Sequence, residues 1–208
     1  MADWATISAL ATAGGTLALA VATYGAVRSS NRSARIAELA LQEQRRPVLV
    51  HARLDDPAQK LVFFDGHWIH AGGGEGVIDE EAGTVYLGLS IRNVGAGIAV
   101  LQGWDPWPEL VRSDIDHHPV DQFRRQIRDI YIAPGDVGLW QGSLHEGDAV
   151  MADIVAAHAE RRPFMLDLLY SDQVGGQRTV TRFAVSPAGD RWLANAGLHW
   201  NLDRAGPR

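Results

Sequence analysis

Cysteine is absent from the 208-residue chain. That excludes a disulfide scaffold, a thiol nucleophile, a thiolate-held metal and an iron–sulfur cluster. Charge is sparse too. Charged residues make up 21% against 46% hydrophobic, which excludes general disorder. Positive charge is in deficit, with 19 Lys and Arg facing 25 Asp and Glu. The deficit falls after residue 47, where 14 basic residues meet 22 acidic ones; up to that point five Arg meet three acids. So acidic a body is poorly matched to nucleic-acid phosphates, and no aromatic–basic interleaving suggests base stacking. An anionic lipid surface would also repel it unless something tethers it there.

Chemical signatures are equally scarce. There is no H-E-x-x-H helix, EF-hand loop or G-x-S-x-G elbow. The run from Ala71 to Gly76 is Gly-rich but lacks the P-loop Lys-Ser/Thr pair, so it reads as a loop. No catalytic residue and no cofactor is expected.

The other scarcity is formal charge between Trp4 and Val27, a run of 24 residues bounded by Asp3 and Arg28. About 20 helical residues at roughly 1.5 Å each cross about 30 Å of hydrocarbon. Trp4 and Tyr24 stand one such crossing apart and suit the two interfaces, with Arg28 as a further anchor. Eight Ala, three Gly and five Thr or Ser soften the run, leaving a favourable insertion term of only about 2–4 kcal/mol. Gly14, Ala18, Ala22 and Ala26 recur every fourth residue, a small-residue stripe on which another helix could pack. The expected partners are therefore membrane lipid and either another membrane protein or a second copy; the alternative is accidental periodicity in an Ala-rich helix. Arg28, Arg32 and Arg35 all follow the run, and no Lys or Arg precedes it. The positive-inside bias then places the C-terminal domain in the cytoplasm. Cleavage near Ala18-Leu19-Ala20 is the competing possibility, which would leave an exported soluble domain.

Residues 1–27 thus read as an anchor helix and 28–46 as a juxtamembrane helical stalk. One long helix from about residue 5 to 46 would stop before Pro47, with Arg45 and Arg46 in its last turn.

From residue 47 to 208 the period changes to that of strands. Strands are expected at 48–54, at 61–64 and 67–70 around an Asp65-Gly66 turn, and at 85–92, 98–103, 128–133, 137–141, 164–169 and 178–185. A last pair is expected at 192–193 and 198–200. Asp148 is placed to cap a helix over Ala149–Glu160, which Pro163 stops. The fold class is mainly β: an antiparallel immunoglobulin-like sandwich with one short helix, behind a long N-terminal helix that contains a transmembrane span.

Three segments carry a resemblance: Arg45-Arg46-Pro47-Val48 at the domain's start, the unit from Leu89 through Asn93-Val94-Gly95-Ala96-Gly97 to Ala99, and Tyr170-Ser171-Asp172. In these the chain resembles small bacterial single-pass membrane proteins with a juxtamembrane helix and an immunoglobulin-like sandwich. The resemblance implies an adaptor or accessory subunit.

Three places could hold chemistry or binding. Asp114, Asp116 and His118 alternate, so on a strand they would point to one side toward a divalent metal, with His67 and His70 as distant additions. On that basis a membrane-tethered metal-dependent hydrolase or ligand-binding domain is the alternative; a polar loop after Pro106 and Pro108 is the simpler account of the cluster. Trp104 and Trp107, held in a Pro-rich segment, are candidates for a protein-binding anchor or a lid over the core. Ser143 and His145 suggest a nucleophile beside a base, but a Gly-Ser pair in a turn accounts for them as well.

Overall fold

The computed structural model describes residues 3–112 and 114–204, without the side chains of residues 5 and 6. The last four residues of the expected domain, 205–208, lie outside the described residues. The chain divides into two compact units, Met1–Gln44 and Arg45–Arg208.

The first unit is a single helix, α1 (Trp4–Glu43). It is long and apolar enough to cross a membrane by length and composition, and none of its apolar window is buried within the structure. Its hydroxyl groups are less of a burden than composition suggests. Thr12, Thr16 and Thr23 donate to the carbonyls of Ser8, Thr12 and Leu19 at 2.7–2.9 Å, so the helix satisfies them itself. Trp4, Leu10, Leu17, Tyr24 and the small residues Gly14, Ala18, Ala22 and Ala26 all face outward.

Arg45 and Arg46 correct the expected helix end. Arg45 stands in the turn beyond α1, and the buried Arg46 follows that turn in the second unit. Its guanidinium meets both Asp203 oxygens at 3.0 and 2.7 Å and Asn201 Oδ1 at 3.2 Å. This pairing outweighs a helix-dipole contact because it is bidentate and partly shielded from water. Gly95 and Gly97 let the chain pass: a Cβ on Gly97 would lie 1.7 Å from the Arg45 carbonyl oxygen.

The second unit is mainly β. Its strands are β1 (Leu49–His51), β2 (Gln59–Val62), β3 (Trp68–Ala71), β4 (Glu75–Glu81), β5 (Thr84–Asn93), β6 (Ala99–Trp107), β7 (Arg124–Arg125), β8 (Tyr131–Ile132), β9 (Val137–Leu144), β10 (Phe164–Ser171), β11 (Thr179–Ala188) and β12 (Arg191–Asn201). Ten form one sheet in the order β1-β5-β4-β12-β11-β10-β6-β7, with β9 also on β5 and β8 also on β6; β2 and β3 form a separate hairpin. Every pairing is antiparallel.

β5 is buried on both faces. Val85, Leu87, Leu89 and Ile91 enter the main core, while Tyr86 and Gly88 lie under the hairpin. Leu61 and Ile69 seat that hairpin, each contributing about 1.5–3 kcal/mol of burial. Gly88 makes the seat possible, since a Cβ there would stand 2.3 Å from Leu61 Cδ2. The main core draws on strands from both ends of the sheet order: Trp104 of β6 meets Trp140 of β9 edge-to-face at 5.2 Å.

Several expectations shift, and the strand expected at 128–133 is confined to Tyr131–Ile132. Residues 75–81 form β4 rather than ending a loop, and Gly76 is needed there because a Cβ would press on Val185 at 2.8 Å. The expected pair at 192–193 and 198–200 is the single strand β12, with a bulge where Arg182 faces Leu198 and Phe183 faces Ala196. The short helix α2 runs over Met151–Ala159 with Ile154 and Ala157 inward. Asp148 does not cap it, because its carboxylate accepts from His145 N–H and Arg124 instead.

Candidate functional site

Two aromatic–carboxylate clusters dominate the second unit. The first grows from strand register. On β6, β10 and β11, Asp105 faces Asp167 and Asp167 faces Arg182, so three charged side chains share one face of the sheet. Arg182 donates from Nε and Nη2 to the two Asp167 oxygens, both at 2.7 Å, with each residue almost fully buried. Its guanidinium lies 4.6 Å from the Trp107 ring and 5.0 Å from the Trp200 ring. It also donates to the carbonyl of Ile115 at 2.9 Å, which ties the backbone there to the guanidinium. The Trp107 indole N–H donates to Asp167 at 3.0 Å. Burial pushes the Asp167 carboxyl above the usual range, and the Arg182 bonds pull it back.

Three of the candidate site residues join this cluster: Trp107, Asp116 and His118. Trp107 is one wall of it, and His118 stacks on that ring at 3.9 Å while its Nδ1 meets Asp105 Oδ2 at 2.6 Å. Asp116 accepts from the Trp200 indole at 3.2 Å. Asp114 turns away to Arg112 at 3.1 Å. The three residues considered as candidate metal ligands are thus not on a strand and are engaged with separate partners. Among the described residues no group of three His, Asp or Glu is arranged to hold a metal ion. Trp104 is also corrected as a binding anchor: it is 4% exposed, because β6 turns it into the main core against Trp140. Ser143 Oγ does lie 3.1 Å from His145 Nε2, both on the same side of β9 and its continuation. The other ring nitrogen meets Thr84 Oγ1 at 3.4 Å, not a carboxylate, so the pair lacks the acid that would orient a base.

The second cluster sits at the hairpin tip and is open. Asp65, Gly66, His67, Trp68, Glu81, Ala82 and Tyr86 line a concavity of about 480 Å³. The turn needs Gly66, whose φ is 88°. The Tyr86 hydroxyl donates to Asp65 Oδ2, and that bond holds the Asp65 carboxyl below its usual range and the Tyr86 phenol above its own. His67 stacks on the Tyr86 ring at 4.0 Å, with Nε2 3.0 Å from Asp79 and Nδ1 2.6 Å from Glu81. His70 stands apart, edge-on to Trp68 at 5.1 Å.

Around this concavity the apolar side chains point outward. Phe64 is 104% exposed and Trp68 is 52% exposed, beside Val62. Two adjacent Phe residues entering a tight turn carried a signal for this, since successive side chains in a strand face opposite ways. Phe63 goes in against Tyr86 at 4.7 Å, so Phe64 must go out. Asp79 and Glu81 gave no such signal, because β4 itself was not expected. Compared with protein-family models, curated proteins and solved structures, the chain matches none, so its architecture stands as a membrane-length apolar helix joined to a mainly β unit.

Proposed function

We propose that the chain is a single-pass membrane protein whose acidic β domain serves as an accessory or adaptor module for another protein. The observation that carries this reading is the hairpin tip, where the half-exposed Trp68 lines a concavity together with Asp65 and Glu81 and the fully exposed Phe64 precedes Asp65 in the turn. Rigid aromatic area beside carboxylates suits a protein surface that offers an apolar contact and an Arg or Lys. On the same reading the domain lies in the cytoplasm, because Arg28, Arg32 and Arg35 follow the span. The stripe of Gly14, Ala18, Ala22 and Ala26 packs against another membrane helix or a second copy. The domain closes as an immunoglobulin-like sandwich, a packing supported by the Trp104–Trp140 contact between the two ends of the sheet order.

A photo-crosslinking residue at position 64 of the full chain, activated in intact membranes, tests the reading. A discrete protein adduct that disappears when Trp68→Ala is added supports it. No adduct, or one indifferent to Trp68, overturns the hairpin as the contact surface.

A further inference from the structure

Beyond the apolar run, α1 continues without a break through Arg28, Arg32 and Arg35. At about 100° per residue the three arginines fall within roughly 60° of arc, a basic stripe on one face of the helix. Tyr24, Val27 and Asn31 share that face with them. Arg28 lies about 6 Å beyond Tyr24 along the axis, and Arg35 about 10 Å beyond Arg28. With Tyr24 at the interface, Arg28 sits at headgroup depth and the other two stand just above it.

The direction of the helix decides what they reach. Side chains on a helix lean toward its N-terminus, and here the N-terminal side is the apolar run. All three guanidiniums therefore lean back toward the bilayer, and their long stems can lower the charge to phosphate level. Among the described ion pairs none involves Arg28, Arg32 or Arg35. In sequence the nearest acids are Asp3 on one side and Glu38 on the other.

We infer that Arg28, Arg32 and Arg35 form a headgroup-binding stripe that selects anionic phospholipid at the exit of the helix. This rests on the reading of α1 as a membrane anchor. The stripe also counteracts the repulsion between an acidic domain and an anionic surface, by collecting the negative charge at the helix instead.

The test uses the full chain reconstituted in phosphatidylcholine vesicles carrying trace spin-labelled phosphatidylglycerol or spin-labelled phosphatidylcholine. The readout is the motionally restricted fraction of each label. The wild type is expected to prefer phosphatidylglycerol on the order of three- to tenfold at low salt, and less at high salt. Arg28→Gln, Arg32→Gln and Arg35→Gln together should reduce the ratio to about one, whereas the triple Lys variant should keep most of it. Equal restriction of both labels by the wild type, or a preference that survives in the triple Gln variant, overturns the inference. So does displacement by inorganic phosphate beyond that of sodium chloride at equal ionic strength, which would mark a free-phosphate site. A carbonate wash separates the two levels: a wild-type chain that washes off the vesicles sinks the anchor reading and this inference with it, while a retained chain without lipid preference sinks only this inference.

Discussion

Around Arg182 and around Tyr86 the β domain assembles the same ingredients: carboxylates, a histidine and aromatic rings. At Arg182 they close on one another. The guanidinium is covered by two indoles, its carboxylate partner is fully buried, and the Ile115 carbonyl is bonded to the guanidinium as well. At Tyr86 they stay open, with Glu81 65% exposed and Phe64 and Trp68 turned to solvent. The difference shows why residue type alone is a poor guide to function. A desolvated ion pair has its hydrogen bonds spent on the fold, whereas carboxylates and rings at a rim remain available to a partner.

The largest effect is expected where charge is buried. Arg182→Met leaves Asp167 without its counter-ion and should lower unfolding free energy by about 3–5 kcal/mol; adding Asp167→Leu should restore at least half of that. Urea unfolding of the full chain in detergent, followed by Trp fluorescence, measures both. Equal losses in the single and double variants would mean that the pair is not what the cluster depends on.

Gly88→Ala comes next. Its methyl group meets Leu61 under the hairpin, so a loss of about 1–3 kcal/mol is expected. Hydrogen exchange should rise first in β2 and β3, while the Arg182 cluster keeps its protection. Uniform loss of protection would contradict a separately seated hairpin.

Arg46–Asp203 is intermediate, since the carboxylate is 30% exposed. The Arg46 hydrogen bond holds the Asp203 carboxyl below its unfolded value of 3.8, so its stabilisation is present above that pH and is lost as pH falls through the lower folded value. Asp203→Asn should therefore remove about 1 kcal/mol at neutral pH and flatten the acid limb of the stability profile. Parallel acid limbs in the two proteins would exclude the pair as a source of that slope.

The smallest effect on stability belongs to the open cluster. Phe64→Ala with Trp68→Ala should change unfolding free energy by no more than about 0.5 kcal/mol. The same pair should reduce partner recovery at least about tenfold if these rings anchor the contact. A large stability loss with unchanged recovery would reverse the roles assigned to the two clusters.

Local pattern made much of this legible. The Asp65-Gly66 turn, the alternation of β5 and the neutral run of α1 are each written in adjacent residues. β4 was hidden because Gly76 and three consecutive acids suppress strand patterning, although Ile78 enters the core. The Arg182 cluster was hidden for another reason: Asp116 and His118 stand near each other in sequence, but Asp167 and Arg182 join them only through the register of three strands. Nothing local announces such a pairing. Trp104 and Trp107 illustrate the same point, because three positions of strand send one ring into the core against Trp140 and the other onto Arg182.

On the proposed reading α1 stays in the bilayer as an uncleaved helix attached to the β domain. Fractionation of the native chain with a carbonate wash, followed by sequencing of its N-terminus, tests it most directly. A washed membrane pellet containing a chain that begins before Trp4 is expected; a soluble chain, or one beginning beyond Ala20, would rule out an uncleaved anchor.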